Sequence, residues 1–393
     1  GTTPLLCYVE NIPPFSFKHV IVTPSEAKPK LSDPWKMTNH VGETPLYRIR
    51  FDSKGQLSSL HDKTLRRELI TKGGRANQFH AYKDIPKQWD AWDIDPEYPH
   101  KHFDLLRFER LRIFEQGPLR AAVRFEFRSE LGSKLIQDLY LYHKSRRIDF
   151  KTAVTWKEKQ TLLKVAFPLN VKTHSATYEI QFGALQRTTR PTNPRDKAKY
   201  EVPAQQWADL SEQKFGVSLL NDSKYGHDAS NSTLRLTLLR SPHYPHPIDP
   251  LRFTDERVTD QGEHQFTYSL FPHAGDWRNG QSVQRARELN QPVVVVPGTP
   301  GLVPSLFTMS SLNVIVDSIK KAEDSDDIII RLHEAHGHSL KTTLTFGLRA
   351  DAAVECDLLE QDVMVLKIAK SKLPLKFSPF EIKTLKVKFK TKK

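Results

Sequence analysis

Two cysteines, Cys7 and Cys356, are all that the 393 residues contain, and they stand near opposite ends of the chain. That excludes a disulfide framework and a cysteine-ligated zinc site, and it suits a reducing compartment. Long apolar runs are missing too: no stretch approaches the roughly 18 residues that a membrane-spanning helix needs. There is no G-x-G-x-x-G, no Walker loop and no G-x-S-x-G elbow, so the phosphate-cradling and nucleophile-elbow classes have no foothold. Helical periodicity is scarce. No signal-peptide pattern opens the chain, which begins at Gly1 and runs directly into the apolar residues 5–9. Such a start reads as a piece of a longer polypeptide.

What is present is charge and alternation. Fifty-nine Lys and Arg against 46 Asp and Glu give a net charge of +13. Ten of the lysines lie in residues 367–393 beside a single acid, Glu381. A polyanion-binding patch is one reading of that tail. The favoured one is a strand with a solvated lysine face, because Lys386 and Lys388 alternate with Leu385, Val387 and Phe389, as edge strands often do. Tyr47-Arg48-Ile49-Arg50-Phe51, Val123-Arg124-Phe125-Glu126-Phe127 and Phe266-Thr267-Tyr268-Ser269-Leu270 alternate in the same way. Turn signals separate such segments, and the pattern predicts an all-β protein built of sandwiches with few short helices. One helix is predicted over residues 280–290. The proline- and glycine-rich residues 292–304 mark a boundary, with an apolar strand at 293–296. Residues 5–22 read as one or two strands.

Three clusters invite chemistry. The first is residues 77–95, with four Asp, two Trp, one Tyr and one His. Aromatic faces stack on the C–H faces of sugars and carboxylates accept from paired hydroxyls, so Tyr82, Trp89, Asp90, Trp92, Asp93 and Asp95 suit a sugar-binding wall. A hydrophobic anchor loop with solvated acids is equally compatible, and the spacing does not fit an EF-hand. The second is Asn221-Asp222-Ser223-Lys224-Tyr225-Gly226-His227, a polar turn that presents Lys224, Tyr225 and His227 or simply ends a strand. The third, His333-Glu334-Ala335-His336-Gly337-His338, fails the zincin pattern because Gly337 stands where the second His belongs. His243 and His246 sit among prolines in what reads as an exposed loop.

Taken together, these segments resemble the C-terminal half of the α-mannosidases of glycoside hydrolase family 38. The resemblance rests on Leu57-Ser58-Ser59-Leu60-His61-Asp62-Lys63, Arg67-Glu68, Asn77-Gln78-Phe79, Trp89-Asp90-Ala91-Trp92-Asp93-Ile94-Asp95 and Trp207-Ala208-Asp209-Leu210-Ser211-Glu212. It continues through Gly216-Val217, Asn221-Asp222-Ser223-Lys224-Tyr225-Gly226, Leu238-Leu239-Arg240-Ser241-Pro242, Glu263-His264-Gln265-Phe266-Thr267-Tyr268, Glu334-Ala335-His336-Gly337 and Pro379-Phe380-Glu381-Ile382-Lys383-Thr384. The pattern is most similar to the bacterial and cytosolic or vacuolar branch.

The resemblance implies a retaining, zinc-dependent, exo-acting mannosidase acting on terminal α-mannose in the cytoplasm. Zinc and the Asp nucleophile would belong to an N-terminal barrel absent from these residues, so no catalytic residue and no metal ligand is carried over and the chain alone is expected to be inactive. It implies the end of a small β domain or linker over 1–25, a large mutarotase-like β-sandwich (supersandwich) over 26–290 and a small C-terminal β-sandwich over 291–393. The large sandwich would supply part of the sugar-binding wall through Tyr82, Trp89, Asp90, Trp92, Asp93, Asp95, Asn221, Lys224, Tyr225 and His227. The expected partners are α-mannosides or oligosaccharides and the chain's own catalytic domain, with no nucleic acid, no membrane, and homo-oligomerisation left open. The alternative is a stand-alone carbohydrate-binding or mutarotase-like module.

Overall fold

The computed structural model describes residues 5–10, 12, 15–23, 35–87, 89–243, 257–298 and 305–390. His246 and the end of the proline-rich stretch, 299–304, lie outside them. The fold is all-β. Among the described residues the helical pieces are short: Pro194–Lys197, Ser282–Asn290 and the 3-10 turn Tyr98–Lys101. No helix is long and apolar enough to cross a membrane.

The chain divides into two compact units. The larger comprises residues 30–179 and 185–293 and holds three sheets of five, nine and six strands. Alternation explains them. Tyr47–Phe51 buries Tyr47, Ile49 and Phe51 and exposes Arg48 and Arg50, as a strand with one wet face must. In the six-stranded sheet, Thr161–Pro168 is central and pairs with Gln78–Lys83 on one side and Thr233–Arg240 on the other. Its Leu163, Val165 and Phe167 enter one continuous core with Leu234 and Leu236, with Phe125, Leu139, Phe150 and Leu270 of the nine-stranded sheet, and with Ile49 and Leu60 of the five-stranded one. Phe150 stacks on Tyr268 at 5.1 Å, and Phe167 meets both rings edge-on.

A closed polar ring crosses this core. Asn77 donates to Gln137 at 2.6 Å, Gln137 to Tyr268 at 2.7 Å, and the Tyr268 hydroxyl to Asn77 at 2.7 Å. Each buried polar atom in the ring finds a partner, which removes the penalty of burying it.

The smaller unit comprises residues 1–29, 180–184 and 294–393. It has a three-stranded sheet (Phe307–Met309, Leu340–Phe346, Lys372–Phe377) and a five-stranded one in the order Val314–Lys321, Ile328–Glu334, Ile382–Phe389, Ala350–Cys356, Asp362–Leu366. Leu344, Leu373 and Phe377 of one sheet pack with Leu332, Leu385 and Val387 of the other.

Three expectations change here. The lysine-bearing strand Ile382–Phe389 is central rather than at an edge, flanked by ladders on both sides. Two of its three lysines find acids instead: Lys383 lies 2.7 Å from Glu355 and Lys386 2.5 Å from Asp362, while Lys388 is exposed. The described parts of 5–23 form no strand, and Ile21 and Val22 are exposed; apolar sequence alone does not make a strand when no neighbour takes up its N–H and C=O groups. Phe15 does anchor on Phe307, with ring centroids 4.7 Å apart. Residues 293–296 are likewise exposed and unpaired into any sheet.

Candidate functional site

Period-2 geometry decides which residues can meet. In the six-stranded sheet, side chains on the face opposite the core come from alternate positions. Gln78, His80 and Tyr82 stand in register with Ala166, Lys164 and Leu162. On the other side Lys164 faces Thr237 and Ala166 faces Arg235, while Arg235 faces Asp228 of Gly226–Ser230. Directly opposed residues in a ladder share a face, so His80, Tyr82, Lys164, Asp228, Arg235 and Thr237 gather on one side.

That face forms the floor of an open cavity of about 1030 Å³, whose walls include Tyr98, His102, Tyr178, Arg187 and Tyr200. Lys164 is fully buried beneath it. Its ammonium pairs with Glu201, lies 2.7 Å from Asp228, and donates to the Tyr98 hydroxyl at 3.2 Å. Asp228 also accepts from Arg235 at 2.6 Å, and Glu201 from Thr237 at 2.6 Å. Burial alone would depress the Lys164 pKa, yet Asp228 and Glu201 outweigh it and hold the value above that of ordinary lysine. Burial would raise Asp228, and Lys164 with Arg235 pulls it below the usual carboxylate range. The floor is thus a lattice of opposed charges in which Lys164 and Asp228 hold each other ionised.

Aromatic rings make up much of the walls. His80 accepts from or donates to the Tyr82 hydroxyl at 3.1 Å and meets His102 edge-on at 5.2 Å. Burial, then the charge of Arg235 and of His102, lowers its pKa to about 4. Tyr82, Tyr98 and Tyr178 are all pushed up, by burial first, and keep their hydroxyl protons.

Of the residues expected from sequence, Tyr82 lines this cavity. His227, by contrast, faces the other side of its strand. It is opposite Leu236, buried against Tyr178, and bound through Nδ1 to the Tyr225 carbonyl at 3.2 Å, with a pKa lowered to about 4, chiefly by burial. Trp89 and Trp92 are exposed on a tight turn, 6.2 Å apart edge to face. Arg240 secures that turn. It grips the buried Asp84 carboxylate at 2.6 Å and donates to the backbone carbonyls of Asp90, Ala91 and Asp93. Asp95 pairs with Lys101 at 2.5 Å, and the Asp93 carboxylate accepts from the Ile94 N–H. Asn221 is buried and closes its own turn by accepting from the Lys224 N–H at 2.8 Å. Lys224 lies 4.5 Å over the Phe266 ring, and burial lowers its pKa. Tyr225 is exposed.

Arg240 reaches the cavity face through an irregularity. The ladder skips Leu238, so Leu238 and Leu239 are both buried in the core and Arg240 stands opposite Leu162 instead of pointing inward.

Two other polar clusters do not form reactive sites. Asp209, Ser218 and His273 come together as a serine hydrolase would require, but Ser218 and His273 Nε2 both bind the same carboxylate oxygen, at 2.7 and 2.8 Å, and all three are buried. A triad needs acid and serine on the two different ring nitrogens of the histidine; here Ser218 lies 3.3 Å from the same Nε2 that meets Asp209, so the ring cannot relay a proton between them. Gly216 permits that packing, since a Cβ there would stand 2.3 Å from the His273 ring. In the smaller unit, the buried Glu334 accepts from the backbone N–H groups of His336, Gly337, His338 and Phe380 at 2.7–3.0 Å, and His333 pairs with Asp317 at 2.7 Å. The motif clasps a loop at the end of its strand.

Comparison with known proteins gives this architecture a family. The model of the glycosyl hydrolases family 38 C-terminal domain matches residues 43–248. The chain belongs to glycosyl hydrolase family 38. The family's C-terminal beta sandwich domain matches residues 313–385, within the smaller unit. Human alpha-mannosidase 2C1 is 37% identical over 349 residues, covering 86% of this chain and 33% of its own length. Alpha-mannosidase G of Dictyostelium discoideum is 33% identical, covering 86% and 31%, and the Saccharomyces cerevisiae alpha-mannosidase 29%, covering 85% and 33%. The chain therefore spans about a third of the length of these relatives. An alpha-mannosidase from Enterococcus faecalis V583 shares the fold, with a TM-score of 0.72 at 16% identity over 91% of this chain and 43% of that one. Every residue lining the cavity falls inside the family 38 domain match.

Proposed function

We propose that these residues are the β-rich C-terminal part of a retaining, zinc-dependent α-mannosidase that removes terminal α-linked mannose in the cytoplasm, and that they supply part of its sugar-binding wall. The observation that carries the reading is similarity to alpha-mannosidases over 86% of the chain. Exposed Trp89, Trp92 and Tyr225 would offer faces for sugar rings, with Asp90 and Asp93 as hydroxyl acceptors and Tyr82 at the cavity. Asp95, Asn221, Lys224 and His227, whose side chains bond or pack within the fold, would hold the two turns in place.

The residues present do not fit the metal. Among those described, no group of three or more His, Cys, Asp or Glu side chains is placed to hold an ion. In this reading zinc and the nucleophile belong to an N-terminal catalytic domain that is this chain's partner. Retaining hydrolysis strains the sugar ring, and contacts remote from the reacting carbon can supply that strain.

The test is an aryl α-mannoside assay of the full-length enzyme. Trp89→Ala and Tyr225→Ala are expected to lower kcat/KM by about tenfold or more, about 1.4 kcal/mol, with an unchanged unfolding midpoint. Unaltered kinetics in both variants would remove those rings from the wall, and an inactive wild-type enzyme would overturn the mannosidase reading.

A further inference from the structure

Ligand pockets are usually apolar with a few placed polar groups. This cavity departs from that rule in one direction. Five cationic side chains line it, Arg187, Arg195, Lys197, Lys199 and Arg235, against two acids, Asp196 and Asp228. Both acids are already engaged: Asp228 by Lys164 and Arg235, and Asp196 by Lys199 at 3.4 Å and by Asn193, whose side-chain amide donates to it at 2.7 Å. Among the described residues Arg187, Arg195 and Lys197 have no ion-pair partner. The Nε–H groups of Arg187 and Arg235 are moreover buried without any acceptor, a costly state for a charged donor. Both side chains line the same cavity.

We propose that the cavity binds an anionic saccharide, a sugar carrying a phosphate, with its rings against the Tyr and His walls and its phosphate on the Arg187 and Arg235 guanidinium groups. The saccharide part rests on the α-mannosidase reading; the anionic part rests on the lining itself. Guanidinium forks match phosphate oxygens two at a time, and an acceptor there would satisfy the two orphaned N–H groups. The protonated tyrosines and neutral His80 complete the set as uncharged hydrogen-bonding partners for hydroxyls. At about 1030 Å³ the space exceeds what one hexose fills, so the phosphate would mark one residue of a longer glycan.

Isothermal titration calorimetry of the full chain with mannose 6-phosphate, mannose and inorganic phosphate tests this. Mannose 6-phosphate should bind at least about tenfold more tightly than either of the others, and its affinity should fall as salt is raised. Arg187→Ala should remove most of that preference and Arg187→Lys only part of it. Arg187 makes no ion pair among the described residues, so its variants should keep the wild-type melting temperature. Equal affinity for mannose and mannose 6-phosphate would show that charge is not read. Equal affinity for phosphate and mannose 6-phosphate would show that the sugar is not. No binding, or no effect of Arg187→Ala, would sink the site altogether. Each of these leaves α-mannoside hydrolysis by the whole enzyme untouched, so failure here is separable from failure of the mannosidase reading.

Discussion

The cavity floor and the Trp89–Trp92 turn gather the same ingredients, acids beside aromatic rings, in opposite ways. On the turn they are neighbours in sequence, the rings stand in solvent, and one arginine holds the backbone from beneath. On the floor they come from five separate segments, the charges are buried, and each is held by another charge. The difference teaches that adjacency along a chain concentrates residues without orienting them, whereas a sheet's register orients residues that the sequence keeps far apart. The turn's rings are therefore dispensable to folding and the floor's charges are not.

The widest gap should come from Lys164→Met. It leaves Glu201 without a cation and Asp228 with Arg235 alone, and breaking a buried pair costs about 3–5 kcal/mol. Urea unfolding at pH 7 measures it, and an unchanged midpoint would break the contrast. The sign with pH is fixed by the two shifts. The lowered Asp228 pKa contributes stability above the ordinary aspartate value of about 4, which is lost as pH falls through the still lower folded value. The raised Lys164 pKa contributes stability below about 10, lost only above that. The deficit of the variant should accordingly narrow in acid.

Next comes the buried histidine behind the floor. With a folded pKa of about 4, His227 refuses a proton that the unfolded chain accepts from about pH 6.5 downward. Folding should then lose on the order of 3 kcal/mol from this group between pH 6.5 and pH 4. His227→Gln should flatten that acid limb in denaturant titrations at the two pH values; equal slopes in both proteins would show that the imidazole does not carry it.

The smallest effects sharpen the comparison within the turn itself. Trp92→Ala should change stability by less than about 0.5 kcal/mol, as exposed positions do. Arg240→Ala should cost about 2 kcal/mol through the lost charge-assisted bonds. A Trp92 variant as damaging as the Arg240 one would mean that the ring, not the guanidinium, holds the turn.

How much of this was legible beforehand follows the same division. The β class, the helix before residue 291 and the lysine-bearing strand of the smaller unit are written in local periodicity. So are the aromatic–acidic turn and Tyr82. The floor is not, because Lys164, Glu201 and Asp228 are joined only by strand pairing. One signal was available: a lysine inside the otherwise apolar run Thr161–Pro168 has to be neutralised somewhere. The second cluster shows how fine the margin is. The residues singled out for the wall end at His227, while the one that faces the cavity is Asp228, one step on and on the opposite side of the strand. Apolar residues 5–22 and 293–296 mislead for the converse reason, since strand-like composition does not provide a neighbour.

The skipped Leu238 carries a last consequence. Side-chain direction along a strand is a matter of parity, and Arg235 and Arg240 have opposite parity. A single extra residue reconciles them, so that one rigid segment presents two guanidinium groups to the same side, one at the cavity and one under the turn. Removing that residue would turn Arg240 into the hydrocarbon interior and free the turn, altering the surface without touching any residue on it.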